Sequence, residues 1–102
     1  MSPRKYAIRF LRVAEDDLAD IITYVAADRP SAAATLATKI EKNVLLLADN
    51  PHLGKVPKEE ELARAGYRYL VVENYLVFYV VEARAVFVHR ILHGAGDHLS
   101  LL

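Results

Sequence analysis

The sequence contains no cysteine, which excludes disulfides and thiolate chemistry. It has no apolar run near the roughly 20 residues that a membrane-crossing helix needs. The opening, Met1-Ser2-Pro3-Arg4-Lys5, lacks the apolar centre of a secretion signal. The expected compartment is therefore the cytoplasm, with no membrane partner. Net charge is zero, from 13 basic and 13 acidic side chains. That balance argues against a general polyanion binder, whose affinity rests on many phosphate contacts. There is no glycine-rich phosphate loop, and no serine near a histidine and an acid at a recognisable spacing. His52, between Pro51 and Gly54, has no second ligand at helical or hairpin spacing. Neither a metal site nor a cofactor is expected.

What remains is apolar and periodic. Hydrophobic residues make up 54% of the 102 positions, enough for one domain with one core spanning 1–102. Tyr6 to Arg12 alternates with a period near two and predicts a strand. The period then changes. Ala14, Leu18, Ile21, Ile22 and Val25 make one helical stripe, with Glu15, Asp16 and Asp17 in the first turn, where negative charge suits the helix dipole. This helix ends near Asp28. Pro30 opens a second helix, with Ala33, Leu36, Ala37, Ile40, Val44 and Leu47 as its stripe, and Asp49-Asn50-Pro51 stops it. A connection of about three residues makes the pair an antiparallel hairpin.

Residues 52–58 read as a loop and 59–65 as a short helical turn. Three strands follow, at 67–73, 75–82 and 86–93, and their short connections imply an antiparallel meander. The order is β-α-α-β-β-β. The fold class is α+β, a helical hairpin packed on an antiparallel sheet that the first strand joins. So apolar a chain of this size also predicts an exposed apolar groove.

These pieces resemble the ParE/RelE toxin superfamily of type II toxin–antitoxin systems over nearly the whole chain. The resemblance is carried by Ala14-Glu-Asp-Asp-Leu18 with Ile21 and Tyr24, then Pro30 and Ala33, then Leu47, Pro51 and Gly54. The second half resembles the ParE-like branch, with Arg68, Tyr75-Leu76-Val77-Phe78-Tyr79 and Val88-His89-Arg90-Ile91-Leu92-His93-Gly94-Ala95. The resemblance implies a toxin that inhibits DNA gyrase, arrests growth and stabilises plasmids, neutralised by a cognate ParD-like antitoxin. The antitoxin would wrap its C-terminal segment around the toxin. It also implies a toxin–antitoxin hetero-oligomer or a homodimer as the assembly.

RelE-like relatives are instead ribosome-dependent endoribonucleases acting on mRNA. They carry an arginine immediately after the aromatic that starts the strand, where this chain has Leu76. ParE-like sequences continue His-Gly-Ala-Arg-Asp, where this chain has Gly96 as the fourth residue. A non-toxic homologue that only binds its antitoxin is the third alternative.

Metal-free RNA cleavage needs a base, an acid and cations for the transition-state charge. Only Arg68, Arg90, His93, His89 and Lys55 offer these in the second half, and Arg68, Arg90 and His93 are the RNase alternative's set. Strict alternation along the last strand would put His89 and His93 on one face and Arg90 on the other, which disfavours a shared site. No catalytic residue is therefore expected. Target-binding candidates are Arg68, Arg90, His93, Asp97 and His98.

Each has a structural alternative. Arg68 is a sheet-edge cation that Glu73 or an acid of the first helix would hold, and His89 is a partly buried sheet histidine. His93 makes a structural hydrogen bond or a target contact. Arg90 is similar to Arg68: in an otherwise apolar strand it must find a partner or snorkel, and the resemblance implies an antitoxin carboxylate or a target phosphate as that partner. Tyr75 and Tyr79 are core residues with hydroxyls at the rim.

Overall fold

Ile8 and Phe10 face the same way from a four-residue strand, β1 (Ala7–Phe10), and pack against the buried core. The structure, a computed structural model, describes residues 5–96 and 98–102. The strand is shorter than the alternation predicts, because helix α1 (Arg12–Asp28) starts at once. One residue, Arg29, then separates α1 from α2 (Pro30–Leu45), against about three expected. Arg29 leaves the helical region at φ −140°, ψ 82°, and the fixed φ of Pro30 restarts a helix immediately. A single 3₁₀ turn, Leu46–Ala48, prolongs α2. Helix α3 (Glu60–Arg64) and strands β2 (Arg68–Val72), β3 (Tyr75–Glu82) and β4 (Ala85–His93) follow, and a 3₁₀ turn, Leu99–Leu101, closes the chain. Among the described residues no helix is long and apolar enough to cross a membrane.

The four strands form one sheet in the order β1-β4-β3-β2. The last three make the expected antiparallel meander. Strand β1 differs, lying parallel to β4 with Ile8 opposite Val86 and Phe10 opposite Val88. Tight turns force antiparallel neighbours, whereas β1 is followed by the whole helical hairpin, a crossover that allows a parallel partner.

The hairpin covers one face of the sheet. Leu36, Ile40 and Val44 from α2, with Ala14 from α1, meet Leu70, Val72, Val77, Tyr79, Val86, Val88 and Ile91 in one core. Ala14 and Ala33 are both buried, and their small side chains let the helices approach closely.

A bulge alters the last strand. Phe78 pairs with Arg90 but Tyr79 pairs with Val88, leaving His89 without a partner. One extra residue reverses the alternation. Val86 and Val88 are therefore core residues before the bulge and Ile91 is one after it. The alternation expected to run unbroken from Phe87 to His93 is thus broken, and His89 no longer shares a phase with His93.

Candidate target-binding site

Arg90 stands beyond the end of β1, where β4 loses its neighbour and α1 takes its place. Asp17, in the second turn of α1, fills that gap. Its two carboxylate oxygens accept from Arg90 Nε at 2.7 Å and Nη2 at 2.9 Å, and one also accepts the Ile91 backbone N–H at 3.0 Å. Arg90 Nη1 donates to the Leu101 carbonyl at 3.0 Å. The hydrogen bonds to Asp17 raise the pKa of the guanidinium further, against some desolvation. The expected partner for Arg90, a carboxylate or phosphate from another molecule, is thus found within the chain. Asp17 lies on the apolar stripe, three residues after Ala14 and four before Ile21. A carboxylate there signals a partner, but the first-turn reading hid it.

Arg68 lies opposite Tyr79. Its Nη1 donates to the Gly54 carbonyl at 3.0 Å and the His52 carbonyl at 3.2 Å. Glu73, the expected partner, pairs with Lys39 instead. Tyr79 is fully buried, not placed with its hydroxyl at a rim, and that hydroxyl accepts from Gly54 N at 2.8 Å. Burial pushes the Tyr79 phenol up, despite the Gly54 N–H and the Arg68 charge. Lys55 and Tyr69 exchange two backbone bonds beside them, at 2.8 and 2.9 Å. Arg68 and Tyr79 together therefore fasten the 52–55 loop to the sheet.

His89, the bulge residue, hydrogen bonds through Nδ1 to the Tyr67 hydroxyl at 3.0 Å, with the rings edge to face. Desolvation lowers its pKa, and nearby Glu82 only partly offsets this. His93 is exposed. Its Nδ1 accepts from Ala95 N at 3.3 Å, and its ring stands edge-on to Tyr75. The His93 carbonyl accepts from Gly96 N at 3.2 Å and lies 2.9 Å from His98 Nε2. A carbonyl only accepts, so His98 carries its proton on Nε2. The His98 ring rests 5.3 Å from that of Phe78. Asp97 lies outside the described residues.

On the sheet face away from the helices, a cavity of about 280 Å³ is lined by Lys58, Glu59, Tyr69, Leu76 and His98, with Gly96 at one side. The four predicted residues that the structure describes thus do not converge. His98 lines this cavity and His93 holds its rim through backbone bonds. Arg90 turns to α1, and Arg68 turns to the 52–55 loop. The sequence reading missed Asp17, Tyr67 and Lys58. Tyr67 and Lys58 are joined to the site only by the bulge and by the course of the loop, which no local pattern reveals. Among the described residues no group of three or more His, Asp or Glu side chains is placed to hold a metal ion.

The family model described as "ParE toxin of type II toxin-antitoxin system, parDE" matches residues 8–98. The chain belongs to this family. It is 34% identical over 97 residues to Toxin ParE1 of Caulobacter vibrioides, with 90% of this chain and 96% of that protein covered. The fold is similar to a structure of the chromosomal ParDE toxin–antitoxin system from P. aeruginosa, with a TM-score of 0.73 at 20% identity over 87% of this chain and 96% of that one. It is also similar to a chain of the toxin–antitoxin complex RelBE2 from Mycobacterium tuberculosis, with a TM-score of 0.61 at 22% identity over 87% and 98% of the two chains. As a ParE-family toxin, the chain carries the α+β fold on which both branches of the superfamily are built.

Proposed function

We propose that this ParE-family toxin binds and traps DNA gyrase in the cytoplasm and arrests growth without cutting RNA. A ParD-like antitoxin encoded beside it neutralises it, with a C-terminal segment that is disordered when free and orders on the toxin. The antitoxin partner is supported by the relatives, whose names and titles are those of toxins and toxin–antitoxin systems.

The observation that carries the non-enzymatic reading is where the cations point. Metal-free RNA cleavage needs a base, an acid and a cation around one phosphate. Arg90 is committed to Asp17 and Leu101, and Arg68 to His52 and Gly54. Leu76 lines the outer cavity at the place where ribosome-dependent relatives carry arginine. The surface offered to gyrase is then the end of β4 with the tail, where His93, Asp97 and His98 follow Arg90 in the chain. Arg90 ties that surface to α1 and the tail through Asp17 and Leu101, while Arg68 serves the 52–55 loop.

One observation favours the endoribonuclease alternative: Lys58, Glu59 and His98 share the outer cavity. A single experiment separates the two. The purified chain is added to a gyrase supercoiling assay, and mRNA is followed by primer extension after induced expression. Loss of supercoiling with intact messages supports the gyrase reading. Cleavage within codons on translating ribosomes, with gyrase unaffected, overturns it. Neither effect leaves a homologue that only binds its antitoxin.

A further inference from the structure

Phe78 lies on the sheet face away from the helices, yet only 2% of its surface is exposed. Two rings flank it. Tyr69, opposite it on β2, stands 5.7 Å away with the planes at 41°, and His98 of the tail stands 5.3 Å away at 50°. These three rings and Leu76 line the outer cavity of about 280 Å³. Aromatic walls favour a further ring, stacked offset or edge to face, over an alkyl chain of similar area. Pockets for whole small molecules start at about 300 Å³, so this cavity is of a size for one side chain.

The charged part of the lining narrows the guest further. Lys58 and Glu59 both border the cavity, and neither side chain has an ion-pair partner among the described residues. Their opposite charges cancel, so the cavity attracts neither sign. A guest carboxylate is repelled by Glu59, and a guest ammonium or guanidinium by Lys58. A phosphate gains no net charge there, and Arg68 and Arg90 are engaged elsewhere. A neutral hydroxyl suits both groups, since it donates to a carboxylate and accepts from an ammonium. A phenylalanine ring does neither, and an indole N–H only donates.

We propose that the outer cavity is a socket for one tyrosine side chain of the protein target. Its ring packs against Tyr69, Phe78 and His98, and its hydroxyl donates to Glu59 and accepts from Lys58. A tyrosine enclosed in a pocket of this kind is a common anchor of protein interfaces. The inference deepens the gyrase reading and rests on it for the identity of the protein that presents the tyrosine. Two other rings compete for the socket. One is Tyr24 of a second copy, 80% exposed on α1, and the other is a nucleobase of RNA.

The test uses the full chain, isotope-labelled for NMR, titrated with N-acetyl-tyrosinamide, N-acetyl-phenylalaninamide and uridine 5′-monophosphate. Saturable shifts at Tyr69, Leu76 and Phe78 are expected with the tyrosine amide. It should bind about fivefold more tightly than the phenylalanine amide, the net worth of one hydrogen bond, and more tightly than the nucleotide. The double variant Lys58→Ala/Glu59→Ala keeps the fold, since the Glu59 side chain makes no cap bond to α3. It brings the two amides to within about twofold of each other and inhibits gyrase supercoiling at least about fivefold less well than the parent. Four results overturn the proposal. The parent binds the two amides equally or shows no shifts at the cavity with millimolar tyrosine amide. The double variant inhibits supercoiling as well as an active parent does. The nucleotide binds the cavity more tightly than the tyrosine amide, which gives the socket to RNA. The parent associates in sedimentation through a contact that Tyr24→Ser abolishes and that frees the cavity, which gives it to a second copy. A parent that prefers the tyrosine amide but leaves supercoiling untouched supports the socket and overturns gyrase as the protein that fills it.

Discussion

Asp17 and Arg90, 73 residues apart in the chain, form a two-pronged ion pair at the point where the first helix meets the last strand. Asp17 also takes the Ile91 N–H, so one carboxylate does for β4 what a neighbouring strand does elsewhere. Only 14% of the Asp17 side chain and 21% of the Arg90 side chain are exposed. The pair is therefore poorly screened, and losing either half leaves the other charge desolvated.

Asp17→Ala should lower stability by about 2–3 kcal/mol, because it strands the guanidinium and frees a strand N–H. For a domain of this size that corresponds to a fall in Tm of about 10 °C. Thermal denaturation followed by circular dichroism measures it. A change of less than about 0.5 kcal/mol, the range of ordinary surface substitutions, contradicts the assigned role. Arg90→Ala should behave similarly, so any loss of toxicity in that variant must be read beside its stability.

Gly54→Ala should be costly for a different reason. A Cβ at Gly54 would stand 2.7 Å from the Tyr79 hydroxyl and 2.8 Å from the Tyr69 carbonyl. The tyrosine is fully buried and the carbonyl is backbone, so neither yields without shifting the sheet. A loss of about 1–3 kcal/mol is expected in urea unfolding, as for other overpacked sites. Tyr79→Phe should cost about 1–2 kcal/mol by orphaning the Gly54 N–H, and should speed hydrogen exchange there. Unchanged exchange at Gly54 rules out the bond as the loop's fastening.

His89 predicts a pH dependence. Its folded pKa lies below the ordinary histidine value of 6.5, through burial, with Glu82 opposing. Above that value both folded and unfolded chains are neutral at this site, and its contribution to stability is fully present. As pH falls below about 6.5, the unfolded chain takes up the proton first, and stability declines until the folded pKa is passed. Urea midpoints between pH 7.5 and 5 should fall more steeply for the parent than for His89→Gln. Parallel curves count against it.

Gly96→Arg should strengthen growth arrest. An added Cβ meets nothing closer than 3.6 Å, so the backbone tolerates a side chain. The substitution restores a cation beside His93 and His98. His93→Ala, at an exposed position, should leave stability within about 0.5 kcal/mol and weaken arrest. Growth curves, thermal midpoints and antitoxin affinity on the same variants decide it. If His93→Ala and Gly96→Arg both arrest growth like the parent, the tail does not meet the target.

Much of the fold was legible because it depends on period and punctuation. Alternation marked the strands, the stripe from Ala14 to Val25 marked α1, and Pro30 and Pro51 bounded the second helical segment. Those signals are local, since a side chain's face follows from its position along a helix or strand. The site was less legible. A strand has no way to announce in its own sequence that one residue will bulge, because a bulge is defined by the partner's register. Counting by twos therefore placed His89 beside His93, whereas the pairing of Tyr79 with Val88 moved it to Tyr67.

The sequence by itself determined the element order, the apolar faces, the family and the need of Arg90 for a partner, since an arginine in an apolar strand demands one. Only the tertiary structure decided who the partners are. Asp17 reaches Arg90 because β1 stops at Phe10 and leaves the edge of β4 open to α1. Arg68 reaches His52 and Gly54, not Glu73, because the loop's close approach at Gly54 brings its carbonyls within hydrogen-bonding distance. These are contacts between segments distant in the chain. Their geometry is fixed by how layers pack, which composition and spacing along one segment do not encode.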